Sequence, residues 1–143
     1  MGLSMEQKID CGDNVHRISG DENAEVYSMQ DETGEGKMTC FHVLPGIDLL
    51  FNDFHMQGCI SQVKPKVEML TFDHCREGRI EWELENGSYF YLQQGDMQIT
   101  NKERHEHRFG FPTSHYHGIT VVLYIKEAKK TLENAIGGIP VDL

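Results

Sequence analysis

From residue 37 to residue 125 the chain runs in short stretches of alternating polar and apolar side chains. Each stretch is broken by Gly, Pro, Asn or Asp at intervals of about ten residues. Period-2 runs punctuated this often define a sandwich or a barrel. The candidate strands are 38–43, 47–55, 61–63, 67–73, 79–84, 88–92, 97–100, 107–111 and 118–125. In Ile80-Glu81-Trp82-Glu83-Leu84 the alternation is strict, so Ile80, Trp82 and Leu84 share one face and the two glutamates the other. Asn86-Gly87 supplies the positive φ angles of a tight hairpin, and 88–92 returns. Gly95-Asp96 makes a second turn. The uninterrupted apolar run 119–125 reads as a strand buried on both faces, or as one that bridges the core and an interface.

The period then changes. Ile125, Ala128, Leu132, Ala135 and Ile136 form one helical stripe, which Gly137-Gly138 terminates and Pro140 keeps from resuming. This stripe either packs against its own barrel or, as an amphipathic helix appended to a closed barrel, serves as a dimer element; on the second reading Ala128, Leu132, Ala135 and Ile136 are the candidate dimerisation residues. Residues 1–36 are polar and read as a loosely ordered arm or an edge extension with one short strand near 25–29; residues 126–143 read as the helix and the start of a linker. At 143 residues the chain suits one domain with a real core.

Thirteen basic against 23 acidic residues leave a net charge of -10. Non-specific nucleic-acid affinity rests on Lys and Arg displacing counterions, so a stand-alone binder of that kind is excluded. No apolar run reaches the length of a membrane helix and the N-terminus has no apolar signal region, which places the chain in the cytoplasm, away from membranes. Cys11, Cys40, Cys59 and Cys75 form no Cys-x-x-Cys pair and are expected as reduced, packed thiols.

Eight histidines, at 16, 42, 55, 74, 105, 107, 115 and 117, are the main chemical resource. His105-Glu106-His107 and His115-Tyr116-His117 each set two imidazoles on one strand face, a spacing that can chelate a divalent metal. Arg104 and Arg108 weaken the first pair. The imidazoles are read as hydrogen-bonding groups at strand ends or as the lining of an organic pocket, and no metal or other cofactor is assigned. Cys75 beside His74 lacks a nucleophile motif, and neither Gly34-Glu35-Gly36 nor Gly137-Gly138 has the context of a phosphate cradle. Trp82 reads either as core or as a pocket wall. Arg76 reads as a charge-paired turn residue or as a carboxylate binder.

Three stretches are together similar to something known: Phe72-Asp73-His74-Cys75-Arg76-Glu77-Gly78-Arg79-Ile80-Glu81-Trp82, then Ser88-Tyr89-Phe90-Tyr91-Leu92 with Gly95-Asp96, then Phe111-Pro112-Thr113-Ser114-His115-Tyr116-His117-Gly118-Ile119. With Leu44-Pro45-Gly46-Ile47, Phe51-Asn52-Asp53-Phe54-His55-Met56 and the closing residues 136–143, they resemble the N-terminal sensing domain of AraC-type bacterial transcription regulators, in a subgroup common among Firmicutes. The likeness spans residues 37–143. It implies a mainly β, cupin-like double-stranded β-helix (a jelly-roll barrel) with a C-terminal helix, holding a small-molecule effector in the barrel and dimerising. DNA would be read by a helix-turn-helix domain following Leu143. On this reading the chain is non-catalytic, and His74, Arg76, Trp82, Tyr91, His115 and His117 are the candidate ligand-binding residues. The rival reading is a small metal-dependent cupin enzyme using His74, His115 and His117, with Glu81 as a fourth ligand.

Overall fold

The computed structural model describes residues 5–62, 64–83, 86–101, 107–135 and 137. In chain order the elements are α1 (Met5–Lys8), β1 (Ile9–Asp10), β2 (His16–Gly20), β3 (Ala24–Asp31), β4 (Gly34–Leu44), β5 (Ile47–His55), β6 (Gly58–Ser61), β7 (Lys64–Pro65), β8 (Met69–Glu83), β9 (Tyr89–Gln93), β10 (Met97–Asn101), β11 (His107–Gly110), β12 (Tyr116–Tyr124) and α2 (Ile125–Ala135). The main sheet runs β2-β3-β4-β5-β12-β8-β11-β6, with β9 and β10 also paired to β8, while β1 and β7 form a small sheet of their own. All these pairings are antiparallel. The mainly β jelly roll with a C-terminal helix is therefore what this sequence forms.

Strand β8 organises the barrel. Its first part pairs with β12 and β10, and its last part pairs with β9 and β11, so one strand serves two walls. The corner falls at Gly78, whose φ of 81° lies in the left-handed region that glycine occupies freely. A side chain there would run into the backbone carbonyl of His115. The sequence reads 67–73 and 79–84 as two strands; residues 69–83 are for this reason one bent strand, and residue 84 lies outside the described residues.

The even-numbered residues of β12 are buried and the odd-numbered ones only partly so, which sets the inner face of the barrel. Across the sheet, Leu50 and Phe54 of β5 and Tyr27 and Met29 of β3 point into the same core.

Of the two readings of the N-terminal segment, its described residues follow the edge extension and not the loosely ordered arm: β2, β3 and the first residues of β4 extend the main sheet. Strand β3 buries Glu25, Tyr27 and Met29 in strict alternation. The short strand expected near 25–29 lies within it; polar composition hid its full length, because one of its inward positions is a carboxylate. The Asp31-Glu32-Thr33 turn closes the β3–β4 hairpin, with the Thr33 amide donating to Asp31 Oδ1 at 2.7 Å.

Helix α2 follows β12 directly. Ala128 is fully buried and packs over Gly46, and the Thr131 hydroxyl donates to the Pro45 carbonyl at 2.6 Å. Leu132 is half-buried and Ala135 exposed, while Ile136 lies outside the described residues. No helix among the described residues is long and apolar enough to cross a membrane.

Candidate functional site

The inner faces of these strands enclose a cavity of about 470 Å³, within the usual range for small-molecule sites. Phe54, Phe111 and Tyr116 stack along one side, with ring centroids 5.3 Å and 5.7 Å apart. Trp82 lines another part of the wall, 4.8 Å from Phe90 and 5.9 Å from Phe109. Leu50, Met69, Ile80, Leu92 and Val122 complete much of the apolar surface. The N-terminal segment contributes Met5, Ile9, Cys11 and Val15.

Polar groups enter this apolar wall as the pair Thr71–Thr100, whose hydroxyls lie 2.9 Å apart, and as one longer chain. Asn52 Nδ2 donates to Thr120 Oγ1 at 2.9 Å, and Thr120 Oγ1 donates to Asp73 Oδ1 at 2.6 Å. These residues sit on β5, β12 and β8, and the register places Thr120 directly opposite Asp73. Gln98 of β10 is the cross-strand partner of Asp73 on the other side, and it also lines the cavity. Burial first, then the nearby Asp73 charge, pushes the Tyr116 phenol well above its ordinary value, so Tyr116 keeps its proton. The cavity thus offers one carboxylate acceptor, flanked by amides and hydroxyls, to a mainly apolar guest.

The sequence candidates divide sharply. Trp82 lines the cavity. Tyr91 points away from it, exposed on the outside of β9 beneath the Arg79 guanidinium at 3.9 Å, while its neighbours Phe90 and Leu92 point inward. His74 and Arg76 are exposed. His115 and His117 lie on the outer face, behind Tyr116. Asp73, Asn52, Thr120 and Gln98 were not singled out from sequence, although Asp73 sits beside His74 on the alternate face of the same strand. The rival metal set is not assembled: His74 sits opposite Ile119, Glu81 pairs with Arg79 at 3.6 Å, and His115 and His117 gather with His55 instead.

A second polar group closes one end of the barrel. Buried Glu25 and Asp48 flank His42, whose Nε2 lies 2.7 Å from Glu25 and whose Nδ1 lies 2.7 Å from Asp48. The Tyr27 hydroxyl donates to Glu25 Oε2, the Met5 amide donates to Oε1 at 3.0 Å, and Arg17 Nε approaches at 3.3 Å. Burial opposes charge on His42, yet its hydrogen bonds to Asp48 and Glu25 win and raise its pKa. Lys8 stands over the Tyr124 ring and pairs with Glu127 of α2 at 3.0 Å.

The thiols of Cys40, Cys59 and Cys75 are packed and protonated. Burial pushes Cys59 up to about 12, and burial also raises Cys40 and Cys75. Their environments supply no thiolate nucleophile.

No protein-family model matches the chain, and no curated protein matches it. Solved structures do. Fe(II) HppE superimposes with a TM-score of 0.53 at 18% identity, over 80% of this chain and 64% of that one. The cupin domain of Schizosaccharomyces pombe Cnp3 gives 0.50 at 17% identity, over 73% and 68%. An HTH_3 family transcriptional regulator from Vibrio cholerae gives 0.47 at 18% identity, over 62% and 52%. The chain has the cupin fold. It spans about half of the Vibrio regulator and under two thirds of HppE.

One expectation is corrected here. A non-catalytic role does not follow from the fold, because Fe(II) HppE, an iron enzyme, has the same one. A divalent iron inside this cavity is nevertheless a poor fit to its donors. Among the described lining residues Asp73 is the one carboxylate, and no histidine is present.

Proposed function

We propose that this chain is the effector-binding domain of an AraC-type transcription regulator. The barrel would take a small, mainly apolar molecule that offers a hydrogen-bond donor or an amine to Asp73. The observation that carries this reading is the 470 Å³ cavity with its carboxylate-ended polar chain Asn52-Thr120-Asp73. The acidic charge balance is compatible with it, since on this reading DNA contact would fall to a separate domain.

A route out of the cavity supports the regulatory part. Met5 and Ile9 line the cavity, and Lys8, between them, is ion-paired to Glu127 of α2. A guest that packs better against one placement of α1 than another shifts that contact, which is the differential affinity allostery requires. Residues 37–125 are the sensing barrel on this proposal, and residues beyond the helix lead to the DNA reader.

The test uses Trp82, the sole tryptophan. A panel of small aromatic and aliphatic amines, acids and sugars is screened by tryptophan emission and thermal shift. At least one amine or hydroxyl-bearing apolar compound is expected to bind. Asp73→Asn weakens that binding about 10- to 100-fold, in line with loss of a charge-assisted hydrogen bond. Val122→Phe, which fills the cavity, abolishes binding. A ligand that binds equally well to Val122→Phe sinks the cavity reading, and a reading frame without a basic helical segment after residue 143 sinks the regulator reading.

Dimerisation through α2 belongs to the same proposal. Of the helix residues only Ala128 is buried, so Leu132 and Ala135 are available to a second copy. Light scattering at tens of micromolar is expected to give the dimer mass, and Leu132→Asp the monomer mass. A monomer in the parent chain rejects this part.

A further inference from the structure

Outside the barrel, three strands bring together residues that no sequence motif groups. His117 of β12 is the cross-strand partner of Asp53 on β5 and of Glu77 on β8. One step along, His115 meets His55. Ring centroids are 4.3 Å apart for His115 and His117, 5.0 Å for His55 and His115, and 5.6 Å for His55 and His117. Each histidine offers a nitrogen such that all three lie within 4.8 Å of one another.

The orientation of the rings is specific. His55 Nε2 is held by Asp53 Oδ1 at 2.8 Å, and His115 Nε2 by Glu77 Oε2 at 3.1 Å. Both rings therefore turn Nδ1 inward, and these two atoms stand 3.4 Å apart. Two ligands on a tetrahedral ion with bonds of about 2.05 Å are separated by about 3.4 Å. A carboxylate on the far nitrogen of a ligating histidine is the usual means of fixing its tautomer and raising its basicity.

The third ring adds an independent observation. His117 Nε2 is buried and has no aligned hydrogen bond, although Asp53 Oδ1 lies 2.7 Å away. The Nε2 atoms of His55 and His117 thus converge on one carboxylate oxygen, that of His117 without an aligned hydrogen bond, while His117 Nδ1 lies 3.4 Å from Glu77 Oε2.

We propose that His55, His115 and His117, with Asp53 or Glu77, form a site for a divalent transition ion such as zinc on the outer face of the barrel. The donors are borderline in softness and suit zinc, cobalt or nickel over magnesium or calcium. The site goes beyond the effector reading, and it is separate from the cavity, because Phe54 and Tyr116, adjacent in sequence, point the opposite way. An ion here ties β5, β8 and β12 to the turn that precedes His115. The other histidine cluster, Cys40, His42 and Asp48, does not compete: both His42 nitrogens are already engaged and Cys40 is protonated.

The test takes the full chain without a histidine tag, stripped with chelator, loaded with zinc or cobalt and dialysed before metal analysis. One equivalent per chain is expected, with visible cobalt bands from a low-symmetry site. Zinc at a hundredfold excess over its Kd raises Tm by about 5–10 °C. His55→Gln and His117→Gln lose the retained metal, Asp53→Asn weakens it about 10- to 100-fold, and His74→Gln keeps it. Circular dichroism shows that each variant is folded. Val122→Phe keeps the metal while losing the effector, so the two proposals fail separately. Trace metal in the parent chain, or retention unchanged in folded His117→Gln, overturns the site.

Discussion

Gly78→Ala is expected to cost this domain more than 3 kcal/mol or to abolish soluble expression, while Gly87→Ala costs about 1 kcal/mol. The two glycines have nearly the same backbone, with φ of 81° and 83°. An alanine at either position carries the left-handed penalty of roughly 1–2 kcal/mol. They differ in what surrounds them. A Cβ at Gly87 meets nothing within 4 Å, whereas one at Gly78 strikes the His115 carbonyl at the corner of β8. Relief would require β12 to move away from β8 at the point where the register already shifts between His117 and Gly118. Urea unfolding of both variants beside the parent chain separates the shared conformational strain from the clash. Equal losses would show that the corner yields and that close approach of β8 and β12 is not what bends the strand.

That corner also shows where sequence reading stops. Charged residues on both sides of Gly78, namely Arg76, Glu77 and Arg79, look like a solvated turn. In space they sit on a continuous strand whose edges are both occupied. By contrast, 47–55 was legible to the residue as β5, because a strand with one buried face prints its alternation directly into the sequence. The helix was legible over 125–135 because its apolar period changes from two to three and four. Strand β3 was legible only as a short strand near 25–29, since its inward Glu25 is stabilised by His42, Arg17 and Tyr27, partners that only the fold supplies.

The site was legible in kind more than in place. Alternation correctly puts Tyr89 and Tyr91 on one face and Phe90 and Leu92 on the other, but it does not say which face is inside. The same ambiguity sent His115 and His117 to the pocket when they lie behind it. Their shared face was readable; His55 and Asp53 came beside them only through the register of β5 on β12. Asp73 had the one available signal, a carboxylate on a strand otherwise flanked by apolar inward positions.

His42→Gln is expected to destabilise the domain by about 3–5 kcal/mol at pH 6, because removing one member of a buried charge cluster strands the others. Glu25 and Asp48 are both almost fully buried, and His42 is the group that bridges them. The pH dependence gives the sharper signature. The pKa of His42 is raised above 6.5 in the fold, so its contribution is complete below pH 6.5 and is lost as pH rises through the higher folded value. For Glu25, burial opposes ionisation, but Tyr27, the Met5 amide and His42 outweigh it and lower the pKa below 4.5. Its contribution is therefore complete above pH 4.5 and is lost as pH falls through the lower folded value. From this cluster the parent chain gains most between about pH 4.5 and 6.5, and declines on the alkaline side. Cys40 and Tyr124, the neighbouring groups that would otherwise titrate there, are pushed upward by burial and stay protonated through that decline. Urea unfolding at pH 5, 6, 7, 8 and 9 is expected to show the decline in the parent chain and its absence in His42→Gln, with the two curves converging as pH rises. Curves that stay parallel across that range would mean His42 is neutral in the fold, and the closed end of the barrel would then carry two buried carboxylates held by Arg17, Tyr27 and backbone amides alone.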